Sequence, residues 1–309
     1  MYTHSRKIVP FNTGDFTNMI LKDVLREATE RLFRAGVDAP RLSARLLACR
    51  AMGCSRPELE LHADDEFLPR DYAVFVKLLD RRSLGEPVAR ILGEREFYGR
   101  MFAVTEATLV PRPETELLAE LALARLPAAE IILADLGAGT GCLGVSLCAE
   151  RPAWKAVLAD ISAPALRAAA DNAVRHGVED RILCVRGDFC ASLFQPASLD
   201  CIVSNPPYVS EAEYQTLSPE VRDFDPRSAL VSGASGLEHI RALAVRATEA
   251  LRPGGLLLVE FGAEQGRVVE GIFRARADWT DICIHRDLAG LERCAEVRRA
   301  YNVQGAGGD

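Results

Sequence analysis

From Ile20 onward, apolar residues recur at spacings of three and four. Ile20, Leu21, Val24, Leu25, Ala28, Leu32 and Phe33 draw a single stripe along a helix, which Gly36 ends. The same period predicts a second helix over Pro40–Met52, with proline tolerated in its first turn and Gly53 beyond it. Ser55-Arg-Pro-Glu58 has the spacing of a capping box and starts a short third helix. A fourth covers about 71–84 and stops at Gly85-Glu-Pro87. These helices define a small helical domain, 20–86, behind a flexible lead-in, 1–19, in which Met19 is a candidate start.

Past Pro87 the pattern changes. Ile91-Leu92, Phe97-Tyr98 and Phe102-Ala-Val104, broken by Gly93 and Gly99, predict short strands paired as a hairpin within a connecting segment, 87–113. A helix is expected over 114–126. From Ile131 strands (131–135, 156–160, 182–185, 199–203, 255–260) alternate with helices (142–149, 164–176, 237–251). The strand segments are continuous apolar runs, as parallel strands covered on both faces require. Two further strands near 279–284 and 294–300 are expected to close one edge as an antiparallel pair, before a frayed glycine-rich tail. The fold class is α/β: a doubly wound, Rossmann-like sheet with an antiparallel edge pair over 114–309, plus a small N-terminal helical domain.

A length of 309 residues suits two domains. Lys+Arg is 37 against Asp+Glu 44, a net charge of −7, and this acidic balance argues against an obligate nucleic-acid binder. The longest apolar stretch, near 254–261, falls far short of the roughly 20 residues of a spanning helix. The first residues lack the apolar core of a signal sequence, so no membrane partner and a cytoplasmic location are expected. Nine cysteines without a Cys-x-x-Cys pair argue against a zinc or dithiol site, and no metal is expected; an odd count fits reduced thiols.

The chemistry starts at Asp135-Leu-Gly137-Ala138-Gly139-Thr140-Gly141, between a strand and a helix. Glycines let the backbone approach a ligand and supply φ angles that other residues resist. A dinucleotide fingerprint wants a glycine at position 142, which is cysteine here. A pyrophosphate would favour bare amides at the helix terminus. The acid two residues before the first glycine instead favours a cation, and S-adenosylmethionine, with its positive sulfonium and ammonium groups and its carboxylate, fits the loop. Asp160 ends the next strand, nineteen residues past Gly141, where an acid hydrogen-bonds ribose hydroxyls in nucleotide-binding α/β folds. After the third strand, Asp188 is placed to accept from the adenine amino group and Phe189 to pack on its ring.

Asn205-Pro206-Pro207-Tyr208 follows the fourth strand of the alternating region, at the carboxyl edge of the sheet. Two prolines stiffen the chain and remove two N–H donors, so the Pro206 carbonyl and the Asn205 side chain point in fixed directions. They offer two acceptors to one NH₂ group, with Tyr208 as a face for a planar group. This suits methylation of an amide or exocyclic amine, whose lone pair is delocalised and whose nitrogen must be aimed at the methyl carbon.

The motif alone leaves adenine N6, cytosine N4 and glutamine N5 open. The stretch from Arg81 to Gly99 (RRSLGEPVARILGEREFYG), followed by Leu109-Val-Pro-Arg-Pro-Glu-Thr-Glu-Leu-Leu118, closely resembles the PrmC/HemK family, the release factor glutamine N5-methyltransferases, and the resemblance runs from about Ile20 to Val297. It implies an S-adenosylmethionine-dependent methyltransferase, yielding S-adenosylhomocysteine. The implied protein partner is a class I peptide chain release factor, methylated at the glutamine of its Gly-Gly-Gln loop. The helical domain is then expected to grip that partner; a monomer is expected only by default. Matching positions make Asp135, Gly137–Gly141, Asp160, Phe189 and Asn205 cofactor contacts. They make Asn205–Tyr208 the holders of the glutamine amide, Phe97 a wall of its pocket, and Arg112 with Glu114–Glu116 its mouth. Arg90, Phe189 and Leu291-Glu depart from the family's usual Tyr, Trp and Arg-Asp. Phe189 still stacks, with less area. The alternatives are a ribosomal-protein glutamine and, further off, DNA adenine N6.

Overall fold

The computed structural model describes residues 19–301, so the lead-in before Met19 and the glycine-rich tail lie outside the described residues. The chain divides after Gly93 into two compact units. The first holds α1 (Leu21–Arg34), α2 (Pro40–Met52), α3 (Arg56–Leu61), α4 (Pro69–Ser83) and α5 (Val88–Leu92). Most of the stripe read from the sequence faces its core, Leu21, Ala28 and Leu32 being buried with Leu47, Phe75 and Leu79, but Phe33, its last member, is 72% exposed. The capping box at α3 is present, with the Ser55 amide donating to Glu58 Oε2 at 2.7 Å. One expectation fails here: Ile91-Leu92 lie in α5, not in a strand. Pro87 sets the extended entry and Gly93 the left-handed exit (φ 76°) of a single helical turn, which outweighs the β preference of Ile91.

The second unit opens with a hairpin, β1 (Glu94–Phe97) and β2 (Arg100–Ala103). Its two-residue turn puts both Tyr98 (φ 52°) and Gly99 (φ 70°) in the left-handed region, the conformation that matches strand twist. A 3-10 turn at Pro113–Thr115 leads into α6 (Glu116–Arg125), so the helix expected from residue 114 begins as a tighter turn. Then follow β3 (Ile131–Leu136), α7 (Cys142–Glu150), β4 (Trp154–Asp160), α8 (Ala163–Arg175), β5 (Ile182–Arg186) and β6 (Leu199–Ser204). Three single-turn helices come next, α9 (Glu211–Tyr214), α10 (Pro219–Arg222) and α11 (Arg227–Leu230). The unit ends with α12 (Glu238–Ala250), β7 (Leu251–Glu260), α13 (Gly266–Arg274), β8 (Trp279–Arg286) and β9 (Glu292–Arg299).

The seven strands form one sheet in the order β5-β4-β3-β6-β7-β9-β8, parallel from β5 to β7 and antiparallel beyond. Its two faces bury separate cores, one with Leu118, Leu147 and Ala169 from α6, α7 and α8, the other with Leu243 and Phe273 from α12 and α13. The chain leaves β3 toward β4 and β5, then returns to lay β6 on the other side of β3. Ligands bind at the carboxyl ends of strands flanking such a reversal. Leu136 and Ser204 are register partners there, so the glycine loop and Asn205 leave the sheet side by side.

Candidate active site

The glycine loop is held from below and behind. The amides of Gly137 and Ala138 both donate to the Ala159 carbonyl, at 2.9 and 3.1 Å. Gly141 has φ 75°, and a Cβ there would lie 3.0 Å from Ala169 Cβ. Gly141 therefore shapes the turn, and it lines none of the three cavities described below. Gly144, in the first turn of α7, is tighter still: a Cβ would stand 2.3 Å from Leu158 Cδ2. That closeness lets its amide donate to Asp135 Oδ2 at 3.0 Å. Asn172, fully buried on α8, ties the loop to the hairpin by donating to the carbonyls of Thr140 (3.0 Å) and Ala103 (3.1 Å) and accepting from the Ala103 amide (2.8 Å).

Asp135 sits in this frame 2% exposed. Burial pushes its carboxyl up to about 7; the Gly144 amide pulls the other way, and the Asp160 charge adds to the rise. Among the described residues no Lys or Arg pairs with this buried acid. It is the feature that a ligand with a positive centre would complete.

A cleft of about 740 Å³, open solvent included, runs across the loop and is lined by Gly137, Gly139, Asp160, Asp188, Phe189 and Asn205. Asp160 holds the loop as well as facing the cleft. Its Oδ2 accepts from the Gly139 amide (2.9 Å) and its Oδ1 from the Ser162 amide (2.8 Å). Asp188 Oδ1 accepts from the Cys190 amide at 2.8 Å. The Phe189 ring passes 3.7 Å from where a Gly137 Cβ would be and lies 5.6 Å from the His239 ring. His239 was not legible as a site residue. It packs under Phe189 with Nδ1 2.7 Å from Ser232 Oγ, and burial lowers its pKa. Thr140 and Ala138 line an adjoining space of about 400 Å³ with Asp135, Gly137, Gly139 and Asn205. The side chains fit S-adenosylmethionine: a buried carboxylate for its cation, and acids and an aromatic face for the nucleoside.

A further cavity of about 780 Å³ is walled by Tyr208, Glu114, Arg112, Glu260 and Arg293 and roofed by Leu217, Val221 and Leu230 from the segment carrying α10 and α11. Asn205 and Leu109 line all three spaces, so Asn205 stands where they meet. The Asn205 Nδ2 donates to Thr115 Oγ1 at 3.0 Å. Thr115 Oγ1 donates to Glu260 Oε2 at 2.7 Å, and the Tyr208 hydroxyl reaches Glu260 Oε1 at 3.4 Å. Asn205 Oδ1 and the Pro206 carbonyl accept no hydrogen bond from the described residues. The tetrapeptide's exit is pinned by Gln265 Nε2, which donates to the Tyr208 carbonyl at 2.9 Å, and by Val209 and Ser232 bonding across a bridge to α11. Arg112 pairs with the buried Asp225 carboxylate at 2.6 Å, joining the Pro-Arg-Pro segment to the roof.

Two expected site residues are elsewhere. Phe97 is 1% exposed in the sheet core, edge-on to Phe102 at 6.2 Å, and lines none of these cavities. The hairpin pairing turns its ring inward with Phe102, where burial of a whole aromatic side chain is favoured, so it is no pocket wall here. Glu116 accepts from the Tyr98 amide at 3.0 Å and is spent on the hairpin turn rather than the mouth. Thr115 was expected only as part of the mouth, and Glu260, Asn172 and Arg293 were missed. Only the position of Glu260, at the end of an apolar strand in a sheet whose other strands end in site residues, carried any signal.

Residues 23–93 match the model of the PrmC N-terminal domain, and residues 114–220 that of the methyltransferase small domain. A release factor glutamine methyltransferase of Nitratidesulfovibrio vulgaris is 49% identical over 93% of this chain and 98% of its own. Another, of Cereibacter sphaeroides, is 45% identical over 89% of this chain and 97% of its own. Among solved structures, an RNA methyltransferase from Salinibacter ruber in complex with S-adenosyl-L-homocysteine aligns with TM-score 0.40 and 19% identity, over 65% of this chain and 100% of that one. A methyltransferase from Pyrococcus furiosus aligns with TM-score 0.48 and 15% identity, over 66% of this chain and 90% of that one.

Proposed function

The chain belongs to the release factor glutamine methyltransferase family, and on that premise we propose that it methylates the side-chain amide nitrogen (N5) of a glutamine in a peptide chain release factor, with S-adenosylmethionine as donor. The glutamine we assign is that of the Gly-Gly-Gln loop in class I factors. The helical domain, 20–86, is assigned the grip on the factor away from that loop. The observation that carries the reading is Asn205, which lines both the cofactor cleft and the Tyr208 cavity and whose Oδ1 accepts no hydrogen bond from the described residues.

Bound S-adenosylmethionine supplies an electrophilic methyl carbon. Asp135, Gly137, Ala138, Gly139, Thr140, Asp160, Asp188 and Phe189 are the residues that would hold it, with Gly141 setting the loop. The work of the chain itself is alignment. An amide nitrogen is a poor nucleophile because its lone pair is shared with the carbonyl. Asn205 Oδ1 and the Pro206 carbonyl accept one N–H each, which fixes the nitrogen and favours its pyramidal form. Tyr208 offers a flat face to the amide plane, and the apolar roof from Leu217, Val221 and Leu230 keeps water from competing for the acceptors. No strong base is needed, since the nitrogen becomes acidic once it carries the methyl group.

The test is transfer of labelled methyl to a purified release factor beside one whose Gly-Gly-Gln glutamine is changed. Label on the first alone is expected. Label on both moves the site, and label on neither, with cofactor bound, sends the search to ribosomal proteins and then DNA.

A further inference from the structure

Asn205 has a carboxamide whose two ends are nearly isosteric but opposite in function: the oxygen accepts and the nitrogen donates. Turned one way it receives a substrate N–H; turned the other it presents N–H groups to N–H groups. The tetrapeptide fixes where the side chain is but does not choose between the ends. The choice is made on the far side. An ionised Glu260 can only accept, so the Thr115 hydroxyl must donate to it (2.7 Å). That hydroxyl has a single proton, now spent, so toward Asn205 it can only accept, and only Nδ2 can face it (3.0 Å). Oδ1 is thereby driven toward the cavities. Glu260 is held at the end of β7, 1% exposed, and Thr115 is 3% exposed, so the bond between them lies inside the protein.

We propose that Glu260 and Thr115 are positioning residues that set the direction of a hydrogen-bond relay and so present the acceptor end of Asn205 to the substrate amide. The assignment rests on the glutamine-amide reading for its consequence, though not for its existence in the free protein. Neither residue touches the reacting atoms. The groups facing Glu260 are Arg293 from β9, Glu114 and Thr115 from the 3-10 turn, Tyr208, and the thiols of half-buried Cys142 and buried Cys294. Arg293 favours the ionised form and Glu114 opposes it, while burial pushes the carboxyl up to about 7. A protonated Glu260 can donate to Thr115 Oγ1, which frees the threonine proton for Asn205 and permits the reversed amide.

Two readouts separate the relay from the function it serves. In the free protein, the Asn205 side-chain NH₂ resonances, assigned by their loss in Asn205→Ala, should exchange with solvent about 10-fold faster in Thr115→Val than in wild type or Thr115→Ser. In methyl transfer at saturating cofactor, kcat should fall about 10-fold or more in Thr115→Val and return to within threefold of wild type in Thr115→Ser, with the cofactor Kd unchanged in both. Wild-type kcat should also fall as pH drops below about 7, and Thr115→Val should lack that limb. Unchanged amide exchange in Thr115→Val overturns the relay, as does full kcat in that variant. If exchange responds as expected while the wild type transfers no methyl to a release factor, the relay stands and the substrate assignment falls.

Discussion

Lowering the pH from 8 to 6 should weaken S-adenosylmethionine binding about tenfold through Asp135 alone. In the free protein burial holds this carboxyl near 7, far above its ordinary 3.8. A cation beside it favours the ionised form, so the liganded pKa is lower and binding expels a proton wherever the free acid is protonated. With a free pKa of about 7, roughly one-eleventh of the sites are ionised at pH 6 and ten-elevenths at pH 8. The ratio is about 10, or about 1.4 kcal/mol. The ligand's own amino group titrates near 7.7–8.0 and works in the opposite sense, by losing its charge as pH rises. The comparison is therefore made against Asp135→Asn, which keeps an acceptor for the Gly144 amide but does not titrate. Calorimetry at pH 6, 7 and 8, in two buffers of different ionisation heat, gives both Kd and the protons released. The Kd ratio between pH 6 and 8 should be about 10 times larger in wild type than in the variant, with close to one proton released at pH 6. Equal pH dependence in the two proteins refutes the reasoning. The same shift has a stability consequence. A raised folded pKa favours folding below the unfolded pKa, and that contribution is lost as pH rises through about 4 to 7, so the cofactor should raise the melting temperature more at pH 8 than at pH 5.

Asn205→Ala should leave cofactor affinity nearly intact and cut turnover about 10²-fold or more, by single-turnover transfer at saturating cofactor; equal loss of cofactor binding would remove its role toward the amide. Asp160→Ala should raise the cofactor Kd roughly 10- to 100-fold by calorimetry, since the same carboxylate faces the cleft and holds the Gly139 and Ser162 amides; an unchanged Kd moves the ribose contact elsewhere. Asn172→Ala should cost about 2–3 kcal/mol in urea unfolding, because it strands the Ala103 amide and two carbonyls in the core; a loss below about 0.5 kcal/mol would mean that water replaces it.

The acid–glycine loop, the acids at the ends of β4 and after β5, and the Asn-Pro-Pro-Tyr turn were legible because each is local. A positive φ, a stiff proline pair or a strand's last residue is written within a few neighbouring letters. The alternation of apolar runs and amphipathic stripes likewise named nearly every long helix and every parallel strand. Where one turn was at stake the reading failed at Ile91-Leu92, since Pro87 and Gly93 bound a helix of five residues, too short to show a period. The short helices α9 to α11, of which α10 and α11 help roof the Tyr208 cavity, have too few residues to show a period.

What the chain alone determined, then, is its order of elements, the chemistry it can offer and the family it resembles. What the tertiary structure decided is which neighbours make that chemistry specific. Thr115 and Glu260 are 145 residues apart, Thr115 and Asn205 90, and Asn172 reaches back 69 to the hairpin. Phe97 looked like a wall and became core by the same pairing that turned Phe102 inward. Periodicity says which face of an element is buried. It does not say against what, because burial is nondirectional, whereas a hydrogen bond needs one partner at one angle and is decided only when the strands lie in register.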